Sequence, residues 1–406
     1  MRTRALRLWA LMLVAAVALA GCAPTPPAPT AKPTEAPKPA ASPAAAASPA
    51  ASPAASPAAS PAASPAASPA ASPSPSPAAQ AAPAPAQAAA PKPAGPIERV
   101  VAAHVPLMSF AILYSAIDNG FMAEQGIEVE LQRVASGTEA VGFLAQGQVD
   151  VGAIGLAAGI FNAFNRDFDM RVVATASAWG QQHDVMILGA ADKVSSGELK
   201  TVADLKGKRV GIAGGAGSAG AYLVDAALRT VGLTIKDVQV VNVPNADMPV
   251  SLKNAAVDAG LAGVPFANQA VGEGWAQPLL QNFEPGAAST VFMYSGKLIK
   301  ERPGVAERFA VAMMQGSRAM QGDQYATEKN LQIWEKYTGV KPDVVKSGIP
   351  LVYSPDLAIS KDNIAAQEQG HRESGFTDYQ AAVPLEKMVD ESFQQKALAK
   401  LGPYRP

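Results

Sequence analysis

From Ile97 onward the chain alternates short apolar runs with stretches of helical period. Arg99 to Val105 reads as a strand, followed by a loop at Pro106-Leu107-Met108-Ser109. Phe110 to Asn119 predicts a helix closed by Gly120, which supplies the left-handed position past a helix end. Ile127, Val129 and Leu131 alternate with Glu128 and Glu130, the pattern of a half-buried strand. Ser136-Gly137-Thr138-Glu139 has capping-box spacing, with Ser136 as N-cap and Glu139 reaching back. That helix runs to about Gln146. Val149 to Ile154 is the next strand, ending at Gly155-Leu156-Ala157-Ala158, which opens another helix, and Arg171 to Ala176 is a further strand. Such β-α-β-α order implies an α/β unit with a parallel sheet and helices on both faces.

A second unit begins near Val202. Strand Val210 to Ala213 runs into Gly214-Gly215-Ala216-Gly217-Ser218-Ala219-Gly220, then a helix from Tyr222 to Val231. Strand Val238 to Val243, a helix around Pro249 to Ala256 and strand Ala259 to Val264 complete it. The apolar segments Asp184 to Leu188 and Thr290 to Tyr294 flank this unit and are expected to carry the chain between two lobes, making a hinge. Beyond Glu301 the period is helical, with Phe309, Ala312, Met313, Gly316 and Met320 on one face, and this tail is expected to pack mostly on the first lobe.

The N-terminal part differs in kind. Arg2, Arg4 and Arg7 precede an apolar segment from Leu8 to Ala20, as in a secretory signal. Leu19-Ala20-Gly21-Cys22 resembles the bacterial lipobox, which implies cleavage after residue 21 and lipidation of Cys22. Residues 22–96 are almost wholly Ala, Pro and Ser with a Ser-Pro-Ala-Ala repeat, and predict a disordered tether. The remainder carries 27 basic and 33 acidic side chains, a net charge of about −6 with no basic stripe, which argues against nucleic acid. Cys22 is the only cysteine, and His104, His183 and His371 show no metal-ligand spacing, so neither a disulfide, a metal nor a cofactor is expected.

The order of several segments is recognisable: Gly120-Phe121-Met122-Ala123-Glu124-Gln125-Gly126-Ile127, Ala145-Gln146-Gly147-Gln148-Val149-Asp150-Val151-Gly152, Asp204-Leu205-Lys206-Gly207-Lys208-Arg209-Val210 and Val257-Asp258-Ala259. Together with Arg302-Pro303-Gly304-Val305 to Met388-Val389-Asp390-Glu391-Ser392, they resemble the thiamine-precursor, nitrate and sulfonate group of ABC-importer substrate-binding proteins. The resemblance implies a two-lobed, type II periplasmic-binding-protein fold, two parallel-rich sheets joined by two crossover strands. Lobe 1 would comprise 97–188 and 290–406 and lobe 2 would comprise 189–289. It further implies a non-enzymatic, monomeric receptor on the outer face of a membrane, anchored through Cys22 and delivering to an ABC permease.

Gly215-Ala216-Gly217-Ser218-Ala219-Gly220 matches a dinucleotide fingerprint, but the next strand ends at Val243 without an acidic ribose ligand. The glycines either allow a tight turn or present backbone N–H groups to a ligand at a helix start. Ligands of open α/β sheets sit beyond the carboxyl ends of strands. That rule and the resemblance select Leu107, Met108, Ser109, Phe110, Tyr114, Ser136, Thr138, Glu139, Leu156, Ala157, Trp179, Gln182, Gly217, Ser218, Ala219, Tyr222, Asn245 and Phe266 as candidate ligand contacts. These loops lack Arg and Lys, while Trp179, Phe110, Tyr222 and Phe266 offer flat faces. That chemistry suits a heteroaromatic ring, with riboflavin expected first and a thiamine pyrimidine precursor second. The alternatives are an aliphatic sulfonate, taurine or nitrate held by backbone amides, and an enzyme of the pyrimidine-synthase type on the same fold.

Overall fold

The computed structural model describes residues 96–183 and 185–406. The expected signal, Cys22 and the tether short of Pro96 lie outside these residues. Among the described residues, ten strands form two five-stranded sheets. The first contains β1 (Glu98–His104), β2 (Ile127–Arg133), β3 (Val151–Gly155), β4 (Met170–Ser177) and β10 (Thr290–Ser295), in the order β2-β1-β3-β10-β4. The second contains β5 (Met186–Ala190), β6 (Arg209–Ile212), β7 (Gln239–Asn242), β8 (Ala259–Ala262) and β9 (Ala276–Gln281), in the order β7-β6-β8-β5-β9. The two orders superpose position by position. In each, the first three strands are parallel and the fourth runs antiparallel to both neighbours.

The antiparallel strand has a topological cause. β5 and β10 are the strands that receive the chain from the other lobe, so each enters its sheet from the cleft end. The crossings themselves are the irregular stretches ahead of these strands, and the expected boundary at residue 188 falls inside β5, all of which pairs in the second sheet. The crossings bind each other. Trp179 N donates to Ala287 O and Gly286 N donates to Trp179 O, both at 2.9 Å. His183 Nε2 donates to Phe283 O at 2.8 Å, and the Trp179 ring lies 4.4 Å from the His183 ring and 5.3 Å from Phe283.

One large apolar core surrounds the first sheet, and smaller clusters cover the two faces of the second. The apolar face read in the tail becomes the helix Pro303–Arg318, with Phe309, Ala312, Met313 and, just beyond its end, Met320 all buried. Gly316 lets this helix cross the helix Ala111–Asp118 closely: a Cβ there would lie 2.7 Å from Ala116 N and 2.8 Å from Ile112 O. Gly142, exposed in the helix Gly137–Ala145, would meet only Gln146 Nε2 at 4.0 Å. Gly316→Val is therefore expected to lower unfolding free energy by about 2–3 kcal/mol through overpacking. Gly142→Ala should raise it by up to about 1 kcal/mol through helix propensity. Urea midpoints at constant slope measure both.

Candidate functional site

A cavity of about 200 Å³ lies where the carboxyl ends of the parallel strands of both sheets meet. Gly155 ends β3, Ala213 follows β6 and Gly263 follows β8, and all three line it. Ser289 and Thr290 line it from the return crossing, and Trp179 from the outward one. Of the residues expected at a site, Leu107, Met108, Ser109, Phe110, Ser136, Thr138, Ala157, Trp179, Ser218, Ala219 and Asn245 are brought together here.

The others lie elsewhere. Tyr114 is a core residue: its hydroxyl donates to Val105 O at 3.2 Å and contacts His104 Nδ1 at 2.9 Å, and its ring stacks on Tyr337. Leu156 is fully buried, with its carbonyl facing His371. Gln182 is exposed. Gly217 gives its carbonyl to Ala158 N at 2.7 Å, a backbone bond between the lobes. Tyr222 packs on Gly370, where a Cβ would approach its ring to 2.7 Å. Glu139 and Phe266 line an adjoining recess with Arg133. The capping box forms in part: Glu139 Oε2 accepts from Ala135 N at 2.8 Å, one residue ahead of the expected amide, and Ser136 makes no capping bond.

Two helix starts converge on the cavity, one from each lobe. The helix Gly137–Ala145 has Ser136 as N-cap, and the helix Ala219–Arg229 has Ser218, whose Oγ accepts from Ala221 N at 3.1 Å. Gly214 sits between them: a Cβ there would lie 3.0 Å from the Ser218 Cβ and 3.1 Å from the Ser136 Cβ. Its φ of +81° is also one that glycine adopts readily. First-turn amides lack partners inside their own helix and carry the positive end of its dipole. Hydroxyls of Ser109, Thr138, Ser289 and Thr290 add donors around the same space. Among the described residues, no Asp, Glu, Lys, Arg, His or Cys lines this cavity.

Sequence reasoning missed two parts of the wall. The tail segment from Val344 to Leu351 closes one side of the cavity, as does Tyr325. The tail also bridges the lobes, beyond its expected place on the first. In the helix Lys361–Glu373, Asn363 Oδ1 accepts from Ala288 N and Gln367 Nε2 donates to Ala288 O, pinning it to the return crossing. Its end reaches the second lobe, where Ser374 Oγ donates to Asp225 Oδ2 at 3.3 Å and Glu373 pairs with Arg229. Among the described residues no cluster of His, Cys, Asp and Glu could hold a metal ion, and no helix is long and apolar enough to cross a membrane.

With the geometry in place, comparison with known proteins fixes the family. The family profile described as NMT1/THI5 like matches residues 108–326, more than half of the chain. The chain belongs to this family. A search of curated proteins finds no match. Among solved structures, the nitrate-binding protein NrtA of Synechocystis PCC 6803 is similar, with a TM-score of 0.64 at 16% identity over 75% of this chain and 89% of that one. The alkanesulfonate-binding protein SsuA of Xanthomonas axonopodis pv. citri, bound to MOPS, has a TM-score of 0.59 at 18% identity over 71% and 98%. The desulfurization enzyme DSZB, in a variant complexed with biphenyl-2-sulfinic acid, has a TM-score of 0.54 at 17% identity over 74% and 99%. The family member described here has the two-lobed type II periplasmic-binding-protein fold of these neighbours.

Two histidines sit in the scaffold around the site. His371 is buried behind the Leu156 carbonyl, to which Nε2 donates at 3.3 Å, and burial brings its pKa from 6.5 to about 4. Burial, aided by the charge of Arg133, brings His104 from 6.5 to about 4. Between these values the unfolded chain takes up protons that the folded chain refuses. Their contribution to stability is therefore complete above pH 6.5 and is lost as pH falls toward 4. Unfolding free energy should drop by up to about 1.4 kcal/mol per pH unit for each histidine. His371→Gln should flatten part of that slope, measured by urea titrations at about pH 7 and about pH 5.

Proposed function

We propose that this chain is the extracytoplasmic substrate-binding protein of an ABC importer, and that its cleft captures a small organic oxyanion of the sulfonate class. The observation that carries the ligand class is the convergence of two helix starts, with Ser136 and Ser218, on a largely apolar cavity that no charged side chain lines among the described residues. Backbone amides and hydroxyls satisfy a diffuse anion there without a lysine or arginine. The neighbours named for alkanesulfonate and nitrate support the same reading. Export, lipidation at Cys22 and docking on a permease complete the proposal, with the tether of residues 22–96 holding the folded part near the membrane.

The heteroaromatic reading has less support. Of its four flat faces only Trp179 and Phe110 line the cavity, while Tyr222 is spent on Gly370 and Phe266 lies in the recess. A volume of about 200 Å³ is also below the roughly 300–1,000 Å³ of pockets for drug-sized ligands. For an enzymatic role through an activated serine, a neighbouring base would be needed, and among the described residues none lines the cavity.

A thermal-shift screen separates the readings. At about one hundred times its dissociation constant a sulfonate should stabilise the fold by roughly 2.7 kcal/mol. Riboflavin, aminopyrimidines and nitrate should leave the melt unmoved. Ser136→Ala should weaken sulfonate binding about tenfold or more, as expected for a lost hydrogen bond to a charged group. A shift produced by riboflavin alone would restore the ring hypothesis.

A further inference from the structure

Residues 344–351 lie beyond the family match, which ends at 326, yet they build one wall of the cavity. All of that wall is apolar: Val344 and Val345 from the short helix Pro342–Ser347, then Gly348, Ile349, Pro350 and Leu351. We infer that this strap is the specificity element of the site. It selects oxyanions that carry an apolar body of several carbons over compact or charged-tailed ones. The inference rests on the oxyanion reading and adds what the rest of the ligand must be.

The strap is fixed in place. Val352 exchanges both backbone hydrogen bonds with Ala178 on the outward crossing, each at 2.9 Å. The Tyr353 hydroxyl donates to Met108 O at 2.7 Å, so the strap is tied to the Leu107–Phe110 wall as well. A held apolar surface contributes affinity without the cost of ordering a loop. Ile349 lines the cavity and is still 39% exposed, which places it at the mouth. A ligand whose head is bound at Ser136 and Ser218 therefore directs its body toward side chains that reward hydrocarbon alone.

The consequences divide the candidate ligands. Each methylene moved from water onto this wall should raise affinity about fourfold until the space is filled. Nitrate has no body to bury. Taurine would have to desolvate its ammonium against aliphatic side chains, and among the described residues no carboxylate lines the cavity to receive it.

Isothermal titration of the full chain with methane-, butane-, hexane- and p-toluenesulfonate, taurine and nitrate tests this. Affinity should climb about fourfold per carbon through the alkyl series, with taurine at least about a hundredfold below butanesulfonate. Leu351→Ala should weaken hexanesulfonate about tenfold and methanesulfonate less than about twofold. Ile349→Ser, at a partly exposed position that does not challenge folding, should show the same selective loss. Affinities indifferent to chain length, or equal losses for short and long sulfonates in both variants, overturn the strap's role while leaving the oxyanion reading intact. Failure of every sulfonate to bind overturns that reading, and this inference with it.

Discussion

Two passages of chain between the lobes, bonded to each other through Trp179, constrain everything else in this molecule. Because Trp179 gives its N–H to Ala287 and accepts from Gly286, the outward and return crossings cannot separate without losing paired backbone groups. Each crossing then delivers its chain to the cleft end of a sheet, which forces β5 and β10 to run against their neighbours. The carboxyl ends of the parallel strands are thereby turned toward one another. Helix starts follow strand ends, so the Gly137 and Ala219 helices both open onto the same space.

Charge is distributed to suit that geometry. Each lobe keeps one partly buried ion pair at the opposite end of its sheet. Asp150 sits just before β3, where it accepts from Val101 N and pairs with Arg302. Asp258 sits just before β8, where it accepts from Arg209 N and pairs with the Arg209 side chain at 2.8 Å. The arginine hydrogen bond holds the Asp258 carboxyl below its usual range. Among the described residues the cavity is lined by backbone, hydroxyls, one amide side chain and hydrocarbon, and the nearest charges named, Glu139 and Arg133, lie in the adjoining recess. Such a surface fits the ligand proposed above, because no lysine or carboxylate has to be stripped of water.

Much of the scaffold was legible in the chain. Alternation at Ile127, Val129 and Leu131 marked β2, and the spacing from Phe309 to Met320 marked the buried face of the long tail helix. These signals are local, because a strand or helix writes its period into a few consecutive residues. The site was partly legible for the same reason: Ser136, Ser218 and Ala157 follow strand ends, where ligands of such sheets gather. Tyr222 was not. An aromatic one helical turn past a glycine loop reads as a ligand face, and only the arrival of Gly370 from the distant tail takes it out of the cleft.

The sequence alone determined the alternation of strands and helices, the capping and glycine positions that set where helices start, and the absence of cationic side chains from the loops at the site. These follow from residue type and spacing. Tertiary structure decided which loops share a cavity, that the crossings lock together through Trp179, and that Val344 to Leu351 close the wall. It also took Tyr222 and Phe266 out of this cavity, leaving two of the four flat faces expected there. Such facts depend on contacts between residues as much as 245 positions apart, as between Met108 and Tyr353, and no local period encodes which distant surface will meet them.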